Sequence, residues 1–222
     1  MKFIDADNWE RKGQYDNFIK YDFPIFSIGT RLDVTEPILY SKKTRTSFFT
    51  LFLYILADCA NKIEEFKYRI VDDKVCLYDK IDPSFVILRD DGQIVTRRTS
   101  FDGDFQRFYQ LNRVAIADAQ NNTGKESFGA NTNDCFFVSN LPWIDLVSCI
   151  NPYNFADKSQ SSIPRFTWGK YVEKDGRYEM GFDVSMHHAL ADGVHVAKLI
   201  SRLEEAFHNI EEYLKEQVKD EG

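Results

Sequence analysis

Apolar and polar positions alternate along this chain in two rhythms, one of period two and one near 3.6. Residues 23–34, "FPIFSIGTRLDV", alternate and read as a strand approached through Pro24. Before them, "RKGQYDNFI" from Arg11 has the spacing of a short helix. Residues 44–63, "TRTSFFTLFLYILADCANKI", are apolar on most faces and lack Gly and Pro, which predicts a buried helix. "FKYRIVDDKVCLYD" and "SFVILRDDGQIVTRR" predict hairpins that turn at Asp72-Asp73 and Asp91-Gly92. "SFDGDFQRFYQLNRVAIADAQ" returns to helical spacing, with Phe101, Phe105, Phe108, Leu111, Ala115 and Ala119 on one stripe. "NNTGKESFGANTND" reads as a polar loop and the mobile segment of the chain. A short strand, "CFFVS", and an extended piece, "NLPWIDLVS", follow. "IPRFTWGKYVEKDGRYEMGFDVSMHH" predicts a long hairpin with Asp175-Gly176 at its tip. In its second arm Met180, Phe182, Val184, Met186 and His188 share one face, and Ser185 and His187 the other. After Gly193, residues Val196, Leu199, Ile200, Leu203, Phe207, Ile210 and Leu214 keep helical spacing. With no repeat and no linker, residues 1–222 read as a single α+β domain. Its expected form is a two-layer sandwich in which helices pack a mixed or antiparallel sheet.

Composition narrows the possible functions. The chain has 222 residues, 43% of them hydrophobic, enough for a substantial core and too apolar for disorder. A net charge of −7 argues against a nucleic-acid surface. No apolar run is long enough to span a membrane, and "MKFIDADNWERKG" lacks the apolar region of a signal peptide. Cys59, Cys76, Cys135 and Cys149 are scattered without a CxxC, so they read as reduced thiols of a cytoplasmic protein rather than metal ligands. Asn121 opens an N-x-T sequon, which carries no weight without a secretory signal.

Three of the four histidines lie in "VSMHHALADGVHVAKLI". His188 closes a strand on its apolar face, and Asp192 stands in the turn before the last helix, where it could cap that helix. A half-shielded imidazole at a strand end is suited to general-base work. On spacing alone, a core histidine bonded to a backbone carbonyl, with Asp192 as an ordinary cap, is the favoured reading. His187 and His188 point to opposite faces and His195 lies on the following helix, so no metal site is expected.

"HHALADG" resembles the HHxxxDG signature of the CoA-dependent acyltransferases, and the chain is similar to the chloramphenicol acetyltransferase family. "NWERKGQYDNF" resembles that family's W-x-R-K helix, "FFTLFLYILADCANKIEEFKYRIVDDKVCLYD" its long helix and hairpin, and "FFVSNLPW" the strand bearing its functional Ser. "MHHALADGVHVAKLISRLEE" resembles its catalytic strand, turn and final helix. The resemblance implies an acetyl-CoA-dependent O-acetyltransferase with no permanently bound cofactor, acting on a small hydroxyl-bearing acceptor, with chloramphenicol the first candidate. It implies His188 as general base, Ser139 as oxyanion donor, and Asp192 paired with Arg11 to hold the histidine loop. Without the resemblance, Ser139 reads as a turn residue before Pro142 and Arg11 as a surface charge. Trp143 would line the CoA tunnel, with core packing the alternative. The family is a homotrimer with active sites between subunits. The catalytic core of a dihydrolipoamide acyltransferase and a non-catalytic trimeric binding protein of the same fold are the competing readings.

The departures from the family concern the acceptor. Phe18 and Phe26 keep an aromatic pocket, Pro24 replaces a small polar or thiol residue, and Cys149 and Asn151 stand where bulkier apolar groups are expected. "VTRRTSFDGD" also fits poorly. An Asn facing an apolar ring loses water without gaining a partner, so weaker handling of chloramphenicol, improved by Asn151→Leu, is expected.

Overall fold

The computed structural model describes residues 1–123 and 133–216. In chain order, strand β1 (Lys2–Phe3) leads to helix α1 (Lys12–Phe18), strand β2 (Ile25–Asp33), helix α2 (Thr35–Thr44) and helix α3 (Phe48–Asn61). Strands β3 (Tyr68–Val71), β4 (Lys74–Leu77), β5 (Asp82–Leu88) and β6 (Ile94–Arg98) follow, then helix α4 (Phe105–Gln120) and strand β7 (Cys135–Leu141). A short helix α5 (Lys158–Ser161) precedes strands β8 (Arg165–Lys174) and β9 (Arg177–His187) and helices α6 (Gly193–His208) and α7 (Ile210–Glu216).

The six-stranded sheet runs β2-β9-β8-β7-β5-β6, and a small second sheet runs β1-β4-β3. In the large sheet β7 is parallel to both neighbours and the remaining pairs are antiparallel, giving the expected mixed α+β sheet. The β3–β4 hairpin turns through Asp72 and Asp73, both at positive φ, the conformation a two-residue primed turn requires. One face of the large sheet presents Phe85, Phe136, Val138, Phe166, Trp168, Phe182 and Val184 to α3, α4 and α6, and together they form the main core. Phe52 of α3 sits at its centre, within ring contact of Trp168, Phe182 and Phe207.

The predicted helix over 44–63 is shorter than expected, forming only as α3 over Phe48–Asn61. Arg45 adopts positive φ and ends α2, and Ser47 then caps α3 by accepting from the Thr50 backbone. Helix α2 itself has no counterpart in the sequence reading. The buried stripe of α4 includes Asn112 rather than Leu111, because Asn112 bridges Thr50 and Thr99 inside the core while Leu111 faces out. The last helix breaks at Asn209. The loop expected to be mobile lies mostly outside the described residues, at 124–132. Among the described residues, no helix is long and apolar enough to cross a membrane. Cys59, Cys76 and Cys135 are buried and Cys149 is half-buried, and none of the four forms a disulfide among the described residues.

The opposite sheet face is covered by backbone rather than by helices. Residues 144–153 run across it, tied by Arg31–Asp145, by the Lys170 amide to the Ile144 carbonyl, and by the Cys149 amide to Asp183. Gly169 and Gly181 open the trough in which this segment lies. A Cβ on Gly169 would come within 2.6 Å of Leu146 Cβ, and one on Gly181 would overlap the Leu146 carbonyl. Gly181→Ala should therefore cost about 1–3 kcal/mol in urea denaturation, as overpacked sites do. Gly13→Ala, in α1 with open space around it, should be neutral or gain up to about 1 kcal/mol. Equal midpoints for the two variants would remove the trough argument.

Candidate active site

Strand β9 stops at His187, one residue short of the sequence expectation, and His188 begins the turn that follows. The His188 amide donates to the Pro24 carbonyl at 2.7 Å, which pins the turn to the start of β2. The Leu190 and Ala191 amides fold back onto the His187 carbonyl. The His188 ring stacks on Phe18 with centroids 3.9 Å apart and leans on Phe26 at 4.8 Å. Its Nδ1 faces two acceptors, the Ala191 carbonyl at 3.1 Å and Asp192 Oδ1 at 3.3 Å. A nitrogen between two acceptors carries the proton, so Nε2 keeps its lone pair. The side chain is about one-third exposed, at 34%, so Nε2 is reachable.

Asp192 joins the N-terminal region to this turn. Arg11 Nη1 donates to its Oδ2 at 2.7 Å, with the Arg11 side chain 8% exposed and Asp192 30%. The bond from Arg11 holds the Asp192 carboxyl below the ordinary carboxylate range, against the opposing effect of burial. Arg11 Nε and Nη2 are buried with no hydrogen-bond partner among the described residues, so within them Asp192 stands as its counter-charge. The carboxylate is thus shared between Arg11 and His188. His195, expected to sit on the helix face, is buried instead and turns back to the site. Its Nδ1 accepts from the Asp192 amide at 2.9 Å, and its Nε2 lies 3.2 Å from Glu65. The sequence signal was its place three residues after Asp192, where a capping-box side chain returns to the helix start. His187 points to the opposite face as alternation requires. Burial pushes its pKa down to about 4, and its Nδ1 accepts from the Ala189 amide.

Ser139 lies inside β7 rather than in a turn, opposite Thr167 of β8, which in turn faces Asp183 of β9. These three share the outer sheet face with Ser27 and Ser185. The Asn151 amide is not left facing apolar groups, contrary to the sequence expectation. It donates to Thr167 Oγ1 at 3.1 Å, beside Ser139. The Cys149 amide is held by Asp183, while Trp143 is exposed rather than packed in the core. Residues 11, 18, 24, 26, 188 and 192 therefore form one cluster, and residues 139, 149 and 151 another. Two strand spacings and roughly five residues of strand rise separate Ser139 from His188, on the order of 15–20 Å within one chain. Among the described residues, no group of His, Cys, Asp and Glu could hold a metal ion.

Residues 1–204 match the family model described as chloramphenicol acetyltransferase. The chain belongs to the chloramphenicol acetyltransferase family. A family member from Clostridium perfringens is 28% identical over 225 residues, covering 97% of this chain and all of the relative. Chloramphenicol acetyltransferase 3 from Escherichia coli is 26% identical, covering 91% of this chain and 94% of the relative. A solved chloramphenicol acetyltransferase superposes with a TM-score of 0.83 at 30% identity, covering 92% of this chain and 99% of that one. A probable dihydrolipoamide acetyltransferase from Listeria monocytogenes, 14% identical with a TM-score of 0.66 and 90% of each chain covered, shares the fold. The family assignment makes this chain an acyltransferase.

Two outcomes follow from the geometry. Asp192→Asn should destabilise the protein by about 3 kcal/mol, because Arg11 stays buried without its counter-charge. An unchanged denaturation midpoint would show that the pair carries no stability. His187 gives a pH signature. Its folded pKa lies below its unfolded value near 6.5, so the unfolded chain binds the extra proton between the two. Stability from this group is full above about pH 6.5 and falls as pH drops toward about 4, by on the order of 3 kcal/mol. His187→Asn should flatten that part of the stability–pH curve.

Proposed function

We propose that this chain is a cytoplasmic O-acetyltransferase that uses acetyl-CoA and acts directly on the hydroxyl of a small aromatic acceptor, as a homotrimer. The observation that carries the reading is His188, whose Nδ1 faces two oxygen acceptors while its Nε2 stays available between Phe18 and Phe26. Nε2 takes the acceptor's hydroxyl proton as that oxygen attacks the thioester carbonyl carbon. The new C–O bond leaves a tetrahedral oxyanion, to which the Ser139 hydroxyl donates. The C–S bond then breaks, the carbonyl re-forms, and the departing CoA sulfur receives the proton from His188. No acyl-enzyme is required.

The separation of Ser139 from His188 within one chain supports a site completed by a second copy. So do the exposed apolar residues of the segment that crosses the sheet after β7, where Val147 is 80% and Ile150 79% exposed and Trp143 and Ile144 are also exposed. Contiguous exposed apolar groups of this kind mark subunit contacts. Trp143, one of these residues, is the residue offered to CoA. Chloramphenicol is the reference acceptor, and the polar Asn151–Thr167 pair beside Ser139 makes it a poorer one than in the relatives.

A thiol-release assay with acetyl-CoA tests the reading. His188→Ala should lower kcat roughly 10²–10⁴-fold with the assembly intact. Ser139→Ala should lower it by roughly 10²–10³-fold, the worth of one oxyanion donor. His187→Ala should lose far less. If His188→Ala turns over normally, the base is another group. If the wild type releases no thiol with any acceptor, the non-catalytic reading replaces this one.

A further inference from the structure

Arg165, in β8, is the residue around which the outer sheet face is unbalanced. It pairs in register with Phe137 of β7 on one side and Ser185 of β9 on the other, and it lies two residues from Thr167, the partner of Ser139. Alternation places Arg165, Thr167, Phe137 and Ser139 on the same face. The guanidinium is sandwiched between aromatic rings, 3.8 Å over Tyr153 and 5.4 Å over Phe137. Its Nη1 donates to the Pro152 carbonyl. Its Nε is buried and has no hydrogen-bond partner. Among the described residues it makes no ion pair, and burial lowers its pKa.

The other arginines near this face are neutralised. Arg98 is bonded to Asp82 and Asp134, and Arg31 to Asp145. The nearest carboxylate on β9, Asp183, is committed to the hydroxyls of Ser27 and Ser185 and to the Cys149 amide. A half-buried cation with no counter-charge among the described residues gains from a ligand that supplies one. With Nη1 tied to Pro152, the remaining edge is Nε with Nη2, a side-on fork that fits two oxygens of one anion.

We infer that the acceptor carries an anionic oxygen group, a carboxylate or a phosphate, besides its reacting hydroxyl, and that Arg165 binds this group through its Nε–Nη2 edge. The inference rests on Ser139 marking the acceptor side of the transferase site. The rings of Phe137 and Tyr153, with Phe155 stacked on Tyr153, suit an acceptor with an aromatic body. Arg165 sets acceptor choice, and acetyl-CoA use is independent of it.

The test uses the full-length protein and three matched alcohols: 4-(hydroxymethyl)benzoate, its uncharged methyl ester, and 4-(hydroxymethyl)phenyl phosphate. In the thiol-release assay the wild type should prefer at least one anionic alcohol over the ester by about tenfold or more in kcat/KM. The better of the two anions identifies the group. Arg165→Met should abolish the preference, and Arg165→Lys should keep only part of it, with the KM for acetyl-CoA unchanged in both. Acetylation of all three alcohols without preference, or a preference that survives Arg165→Met, overturns the inference while the transferase reading stands. If none of these three alcohols is acetylated, the transferase reading is judged by the wider set of acceptors, and calorimetric binding decides the inference separately. Binding of an anionic alcohol that Arg165→Met removes supports it, and no difference in binding between the anionic alcohols and the ester overturns it. Because the comparison is made first within the wild type, a poorly folded variant leaves the inference open to refutation.

Discussion

The ion pair between Arg11 and Asp192 is the interaction on which the arrangement around His188 rests. It fastens the segment before α1 to the turn after β9, and the same carboxylate faces His188 Nδ1. Helix α1 also delivers Phe18 to the opposite side of the imidazole. The ring is thus fixed from three directions: by stacking, by the Ala191 carbonyl and by Asp192. Rigid placement suits the role proposed for His188, because a general base must meet a hydroxyl within hydrogen-bonding reach. The guanidinium's other nitrogens have no hydrogen-bond partner among the described residues, so the geometry depends on this one contact.

The two faces of the large sheet do different work. One is packed with aromatic side chains against α3, α4 and α6, and its energetics are those of burial. The other carries Ser27, Ser139, Thr167, Asp183 and Ser185, where Asp183 accepts from the Ser27 and Ser185 hydroxyls and the Cys149 amide, and Thr167 accepts from the Asn151 side chain. The strip of backbone that crosses this face needs Gly169 and Gly181 because a side chain there would occupy the backbone's path. Close approach at the glycines positions Cys149 and Asn151 over the sheet, and the proposed acceptor side takes its shape from that contact.

Much of this was legible in the sequence where periodicity and turn chemistry agreed. The three hairpins stood out because Asp-Asp, Asp-Gly and Asp-Gly interrupt strict alternation. The final helix stood out because its apolar spacing runs for four turns after Gly193. Helix α2 was missed because "TEPILYSKKT" has a weak apolar stripe and a Pro near its start, which is tolerated only in the first turn. Its end at Arg45 depends on a left-handed residue that the sequence does not advertise. In the site, the HHxxxDG resemblance pointed to His188, Asp192 and Arg11, and the structure places these three side chains together. The structure alone shows that Asn151 has a partner in Thr167 and that His195 turns inward to Glu65. Both depend on which strand or loop lies opposite, a long-range fact that local patterns do not encode. Arg165 escaped notice for the same reason, since an Arg after Pro reads as an ordinary edge charge until its neighbours are known.

The position of β2 has a consequence for how the molecule comes into being. This early strand is hydrogen-bonded to β9 alone, pairing Ile25 with His187, and the Arg11–Asp192 contact spans 181 residues of chain. During synthesis the N-terminal strand must therefore wait, unpaired, until almost the whole polypeptide has emerged. Contacts of such separation carry a large loop-closure cost and form late. The turn that carries His188 therefore depends on a strand pairing that cannot form until β9 has been made, and a chain interrupted before β9 leaves a bare strand edge open to neighbouring chains.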